Sequence, residues 1–119
     1  YALKAVAAIT GSLNKTLTKT AALGNLSEVK NLKFGIYSSR TGSNIKLGIV
    51  DAGGTTEITP NVITANTWQT VNWDLSAVAD ATKDAITSAV VTVSNADAAN
   101  TAYFDDFEIA ACIDIFGII

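Results

Sequence analysis

Apolar and polar residues alternate with a period of two along most of this chain of 119 residues. The alternation is clearest in residues 32–37, 45–49 and 68–75, and a further apolar segment covers residues 89–93. Because successive side chains of a β-strand point to opposite faces, each segment predicts a strand with at least one buried face. Parity within these strands predicts a core of Phe34, Ile36, Ile45, Leu47, Ile49, Val71, Trp73, Leu75, Val91 and Val93.

Turn-forming residues separate about eight short strands of this kind. The segment 76–87 is rich in Ala and Asp and predicts only one or two helical turns. A crossover between parallel strands needs about a dozen residues or more, and no segment offers a helix of that length. The predicted fold class is therefore all-β, an antiparallel β-sandwich with one domain over residues 1–110.

Charge and residue counts exclude several classes of function. The formal net charge is −3 and no Lys/Arg cluster occurs, so no nucleic-acid partner is expected. The sequence has no histidine and a single cysteine, Cys112. An internal disulfide, a Cys/His zinc site and catalysis by a Ser-His-Asp or Cys-His group are therefore excluded. Carboxylates such as Asp51, Glu57 and Asp74 show no pairing pattern, so we expect no enzyme and no catalytic residue.

The start of the chain carries a separate expectation. The sequence begins at Tyr1 and contains no Met, which we interpret as a processed product or a fragment of a longer chain. It shows no signal peptide and no run of about 18 apolar residues that would span a membrane. The sequence itself does not specify a compartment.

Three segments carry a resemblance to a known family. They are LKFGIYSSRTGSNIKLGI (residues 32–49), NTWQTVNWDL (residues 66–75) and TAYFDDFEI (residues 101–109). In this order and spacing they resemble the jelly-roll carbohydrate-binding-module-like domains, also called galactose-binding-like. The resemblance implies a jelly-roll sandwich over residues 1 to about 110. It also implies a glycan-binding or structural role on a secreted, cell-surface or virion protein.

The sequence departs from the family pattern at both ends. Domains of this family usually begin with one more strand, which bears an acidic residue, ahead of the segment that matches residues 1–9. That strand has no counterpart here, and residues 111–119 extend beyond the usual last strand. The family markers concern topology more than ligand, so they predict the fold better than the activity.

Asp105 and Asp106 are the candidate metal ligands. The closing strand of the family often supplies a carboxylate to a structural calcium ion, so the resemblance makes Ca²⁺ the candidate cofactor. Calcium requires about six to eight oxygen ligands, and the missing first strand would normally provide several of them, so we expect the site to be absent or incomplete. The alternative is a solvated edge, or a carboxylate that accepts hydrogen bonds from loop N–H groups.

Four residues are the candidate sugar ligands: Tyr37, Arg40, Trp68 and Tyr103. Sugars stack on flat exposed rings, and parity places Trp68 on the face opposite Val71 and Trp73. The remaining aromatic residues, Trp73, Phe34, Phe104 and Phe107, are expected in the core. For Trp68 and Tyr37 a packing role stays open, and Arg40 is either a ligand contact or a solvated loop charge.

The last nine residues, 111–119, form an apolar tail. Five of them are Ile or Phe, which is unusual for an exposed terminus. We expect Ile113, Ile115 and Phe116 to contact a neighbouring copy or another subunit, which would make the protein a homo-oligomer or part of a larger assembly. The tail equally suits a strand that leads into another domain, and Cys112 is either buried or an interchain contact.

Two functions follow from this sequence. The first is a non-catalytic glycan-binding module. The second is a structural subunit of a filament, virion or surface layer, assembled through the apolar tail.

Overall fold

The computed structural model describes residues 2–7, 15–95 and 98–111. Within these residues the chain forms eight strands and one short helix. In order they are β1 (Leu3–Ala7), β2 (Lys15–Gly24), β3 (Val29–Ser38), β4 (Ile45–Asp51), β5 (Gly54–Ile58), β6 (Trp68–Asp74), α1 (Asp80–Lys83), β7 (Ile86–Val93) and β8 (Asn100–Ala111). No helix in this part of the chain is long and apolar enough to cross a membrane.

The strands form two four-stranded sheets that pack as a sandwich. One sheet has the order β1-β8-β3-β6 and the other has the order β2-β7-β4-β5. Every strand pair is antiparallel. The fold is the antiparallel jelly-roll sandwich that the sequence predicts.

The core between the sheets consists largely of the residues that parity selects. All ten predicted core residues except Val91 are buried, and Val91 is partly buried against the others. Leu26, Leu32 and Ile86 join them with at most 2% exposure. Full burial of such a side chain stabilises the fold by about 1.5–3 kcal/mol before entropy is counted, so the core accounts for the cohesion of the two sheets.

Several strands are longer than the sequence predicts. β3 begins at Val29, three residues before the alternating segment that starts at residue 32. β7 likewise begins at Ile86 rather than at residue 89. Ladder hydrogen bonds join main-chain groups, so polar side chains at strand ends do not interrupt them.

The short helix α1 falls inside the segment where one or two helical turns are predicted. Its last residue, Lys83, is only 2% exposed, and its Nζ donates a hydrogen bond to the Leu75 carbonyl at 3.1 Å. The Lys83 carbonyl in turn accepts one from the Leu26 amide at 2.7 Å. The buried ammonium group therefore ties the helix to the end of β6.

A β-bulge interrupts the pairing of β8 with β3. Lys33 pairs with Glu108 and Gly35 pairs with Asp105, so two residues of β8 stand opposite the single residue Phe34. One of the two is Asp106, with a φ of 51°, in the left-handed region that Asp tolerates better than most residues. The extra residue reverses the alternation of side chains along the rest of β8.

Phe107 corrects one expectation about the core. Its ring packs on Phe34 with centroids 4.7 Å apart, yet its side chain is 37% exposed. β1 pairs with β8 only from Asn100 to Phe104, so no described strand flanks Phe107 on that side. Phe107 therefore lies at the rim of the sandwich, whereas Phe104 is buried as predicted.

Candidate functional site

Three aromatic rings lie side by side across the outer face of the β1-β8-β3-β6 sheet. Trp68 of β6 pairs with Tyr37 of β3, which pairs with Tyr103 of β8. The Tyr37 ring centroid is 5.8 Å from that of Trp68 and 5.6 Å from that of Tyr103, with interplanar angles of 60° and 81°. These edge-to-face contacts are a favoured geometry for aromatic pairs. We call Trp68, Tyr37 and Tyr103 the aromatic row.

The aromatic row extends to the edge of the sheet through a lysine. Lys4 of β1 pairs with Tyr103, and its Nζ lies 5.7 Å from the centre of the Tyr103 ring. This distance is within the range of a cation–π contact. Four neighbouring strands thus each contribute one side chain to a continuous line.

Solvent access differs along the aromatic row. Trp68 is 51% exposed, and Tyr37 and Tyr103 are half-buried between their neighbours. Trp68 and Trp73 lie on opposite faces of β6, since Trp73 is only 5% exposed. Among the three rings Trp68 therefore offers the most surface to a ligand.

A depression of about 460 Å³ lies on the same face, next to the aromatic row. Its lining consists of Lys33, Phe34, Gly35, Thr70, Asp106 and Glu108. Gly35 lies two residues from Tyr37 along β3, and Thr70 lies two residues from Trp68 along β6. Each is therefore the next residue of its strand that faces outward. The absent side chain of Gly35 leaves the floor open between β8 and β6.

The bulge places an acidic side chain at this depression. Simple alternation from Tyr103 would turn Asp105 outward and Glu108 inward. With Asp106 as the extra residue, both Asp105 and Glu108 pair with outward positions of β3. The depression therefore presents hydroxyl, ammonium and carboxylate groups beside a set of aromatic rings.

The candidate residues chosen from the sequence do not include the whole lining of the depression. Parity alone would have found Lys33, Gly35 and Thr70, because they share faces with Tyr37 and Trp68. It would not have found Glu108, which reaches the outer face only through the bulge.

The comparisons with known proteins concern the fold. No family model and no curated protein matches the sequence. Among solved structures, a CBM4 module matches with a TM-score of 0.61 at 15% identity, covering 92% of this chain and 83% of that chain. TmCBM61, in complex with β-1,4-galactotriose, matches with a TM-score of 0.59 at 16% identity, covering 93% and 70%.

A third solved structure also matches in fold at low sequence identity. The family 30 carbohydrate-binding module of the cellulosomal cellulase Cel9D-Cel44B of Clostridium thermocellum has a TM-score of 0.59 at 21% identity, covering 92% of this chain and 74% of that chain. The chain has the carbohydrate-binding-module-like jelly-roll fold. At these identities the likeness establishes the jelly-roll fold and does not identify a ligand.

The loop ahead of β6 holds Trp68 in place in this jelly roll. Gln69 accepts a hydrogen bond from the Ile63 amide at 3.1 Å and donates one to the Asn61 carbonyl at 2.9 Å. The Asn66 amide donates to the Ser38 carbonyl at 2.7 Å, which joins the loop to the end of β3. The row is therefore anchored at the Trp68 end by side chain and backbone together.

Arg40 contacts backbone rather than open solvent. Its Nη1 donates to the Asn95 carbonyl at 2.6 Å and to the Ala98 carbonyl at 3.4 Å. The connection from β7 to β8 is thereby joined to the loop after β3. Arg40 is half-buried and donates these hydrogen bonds, so it is more than a freely solvated charge. Its role toward a sugar stays a prediction.

Buried polar side chains complete this end of the jelly roll. The Asn100 Oδ1 accepts hydrogen bonds from the hydroxyls of Ser38 at 2.9 Å and Ser39 at 3.2 Å. The Thr101 amide donates to Ser39 Oγ at 2.9 Å. These bonds fix β8 against β3 next to the pair Tyr37 and Tyr103.

Asp105 and Asp106 form a local hydrogen bond. Asp105 Oδ1 accepts from the Asp106 amide at 2.8 Å, which supports the bulge. Among residues 2–7, 15–95 and 98–111, no three His, Cys, Asp or Glu side chains come together in a way that would hold a metal ion. The calcium site that the resemblance implies stays a prediction.

The remaining predicted residues lie elsewhere. Cys112 and the tail residues Ile113, Ile115 and Phe116 are outside the described part of the chain, so their contacts stay a prediction. β8 itself continues to Ala111, one residue beyond the predicted domain boundary at residue 110.

Proposed function

We propose that this chain is a non-catalytic glycan-binding module of an extracellular or cell-surface protein. The sugar binds on the outer face of the β1-β8-β3-β6 sheet, across the aromatic row and the adjacent depression. The observation that carries the proposal is the contact of three rings from three strands beside a polar depression on one face.

The chemistry of this face suits a carbohydrate. A sugar ring has apolar C–H faces that stack on aromatic rings, and hydroxyl groups around its rim that require hydrogen-bond partners. Trp68 supplies an exposed apolar surface, and Thr70 supplies a hydroxyl two residues further along β6. Lys33, four residues from Tyr37 along β3, and Glu108, which pairs with Lys33, supply a donor and an acceptor. Binding sites of small molecules commonly combine apolar walls with a few placed polar groups.

The matching structures add support at the level of fold. They are carbohydrate-binding modules, and one of them is in complex with β-1,4-galactotriose. Their ligands do not transfer to this chain at 15–21% identity. Support for the site comes from the residues of this chain.

A glycan array with the wild-type chain and the Trp68→Ala variant tests the proposal. We expect the wild type to bind at least one glycan and the variant to lose that binding at equal protein concentration. Glu57→Ala, an exposed change on β5 of the other sheet, is the matched control and should bind like the wild type. An array without any binding by the folded wild type would overturn the proposal.

One observation favours a second function, that of a structural subunit. Phe107 and Ile109 of β8 are 37% and 42% exposed. Exposed apolar side chains on a strand are suited to contact with a strand of another subunit, and the apolar tail of a second copy is a candidate strand.

Sedimentation of the intact chain tests this second function. We expect assemblies that dissociate to monomers in a variant with Ile113, Ile115 and Phe116 all changed to Ser, while the sandwich stays folded by circular dichroism. A wild-type chain that is monomeric at high concentration would rule out assembly through the tail.

A further inference from the structure

The depression beside the aromatic row is lined by more negatively charged than positively charged side chains. Two carboxylates, Asp106 and Glu108, line it together with one ammonium group, that of Lys33. A third carboxylate, Asp105, belongs to the residue that pairs with Gly35 at the floor. The second lysine on this face, Lys4, lies over Tyr103 at the far end of the aromatic row. A ligand in the depression therefore meets more negative than positive charge.

The carboxylates suit one kind of sugar and oppose another. An ionised carboxylate only accepts hydrogen bonds, and a neutral sugar offers hydroxyl donors at most positions. In a uronic acid a carboxylate replaces one of these hydroxyl donors. This sugar carboxylate can only accept hydrogen bonds, and it carries the same negative charge as Asp106 and Glu108. Like charges brought together at a binding site are a recognised means of rejecting a ligand.

We infer that this site selects uncharged glycans, and that Asp106 and Glu108 exclude acidic polysaccharides such as those built of uronic acids. This inference rests on the proposed function, because it assigns the ligand class of the same site. Trp68 and Tyr37 supply stacking, which is indifferent to charge at C6, and the two carboxylates supply the selection. The bulge at Asp106 is what brings both carboxylates to the depression.

The test compares three forms of one oligosaccharide. The first is a neutral glycan that the wild type binds on the array. The second is the same glycan after oxidation of its primary hydroxyls to carboxylates, and the third is the uncharged methyl ester of the oxidised form. Binding is measured by isothermal titration calorimetry at low and at high salt.

We expect the oxidised form to bind the wild type at least about tenfold more weakly than the neutral form at low salt. The difference should shrink near 1 M salt, where the Debye length is about 3 Å, and the methyl ester should bind better than the oxidised form. In the double variant Asp106→Asn with Glu108→Gln, the ratio of the two affinities should move toward one. The double control Glu57→Gln with Asp84→Asn changes the net charge equally and should leave the ratio unchanged.

The outcomes separate the inference from the proposed function. Equal binding of neutral and oxidised forms by the wild type, or a methyl ester as weak as the oxidised form, overturns the inference and leaves glycan binding intact. An unchanged affinity ratio in the double variant also overturns it. Failure of every neutral glycan to bind overturns the proposed function and the inference with it.

Discussion

Gly35 and Asp105 face each other across β3 and β8, and a Cβ on Gly35 would lie 3.1 Å from the Asp105 carbonyl oxygen. The same added atom would lie 3.7 Å from the Cβ of Asp106. A side chain at this position would press on the Asp105 backbone at its base, and its outer part would extend into the depression. The close approach of the two strands is what forms the floor of the depression.

Replacement of Gly35 by Val should block the site. The new side chain enters the depression between Thr70 and Asp106, so we expect glycan affinity to fall at least about tenfold, which corresponds to about 1.4 kcal/mol. The free energy of unfolding should change by no more than about 1.5 kcal/mol, because a β-branched residue suits a strand while the contact with Asp105 opposes it. Calorimetry and urea unfolding measure the two quantities, and full affinity in a folded Gly35→Val chain would contradict the expectation.

The two tryptophans of β6 should respond in opposite ways. Trp68→Ala removes a half-exposed ring that contacts Tyr37 and should abolish glycan binding, while it lowers the free energy of unfolding by only about 0.5–1.5 kcal/mol. Trp73→Ala leaves a cavity in the core and should cost about 3–5 kcal/mol of stability. Urea unfolding of both variants checks the contrast. Equal losses of stability would mean that Trp68 is a packing residue.

Arg40 should act on stability through the connection from β7 to β8. Arg40→Ala removes charge-assisted hydrogen bonds to the carbonyls of Asn95 and Ala98, and we expect a loss of about 1–2 kcal/mol. Arg40→Lys should recover only part of it, because a single ammonium group does not reproduce the guanidinium fork. Hydrogen exchange at Ala98 and Thr101 should be faster in both variants. Unchanged exchange in Arg40→Ala would show that the connection does not depend on this side chain.

Asp74 gives a pH-dependent prediction. Hydrogen bonds from the Ser76 side chain and from the Ser76 amide, at 2.8 Å, lower the pKa of Asp74 from its ordinary value of 3.8. Because the folded-state pKa is the lower one, ionised Asp74 stabilises the fold above about pH 4 and this contribution is lost as the pH falls through the folded-state pKa.

Urea unfolding between about pH 7 and pH 2 measures this effect. Asp74→Asn should flatten the acid limb of the stability curve, and Ser76→Ala should flatten it in part. Identical acid limbs for the wild type and Asp74→Asn would exclude the Asp74 contribution.

The sequence predicts the strand faces well because alternation is a local property. Burial of Ile36 and Trp73 and exposure of Trp68 follow directly from parity within one strand. Strand ends are predicted less well, since the ladder at Gly24 or Val29 depends on a partner strand far away in sequence. Main-chain pairing leaves little trace in the side chains at those positions.

The candidate site was predictable only as separate residues. Tyr37, Trp68 and Tyr103 were each candidates, but their contact depends on β8 lying beside β3 and on the register between them. Glu108 was not predictable, because one residue in the left-handed region changes its face. Arg40 was a candidate ligand, and its carbonyl partners come from a loop more than fifty residues later.

The bulge at Asp106 divides β8 into two blocks with opposite phase. A regular strand of another jelly roll aligns with β8 only if a one-residue gap is placed between Asp105 and Phe107. A deletion of Asp106 would remove the bulge and leave a regular strand, in which Phe107 stays on the inner face opposite Phe34 and Glu108 stays on the outer face opposite Lys33. The side chains that this outer surface presents beyond Asp105 thus depend on the bulging of one extra residue as much as on the residues around it.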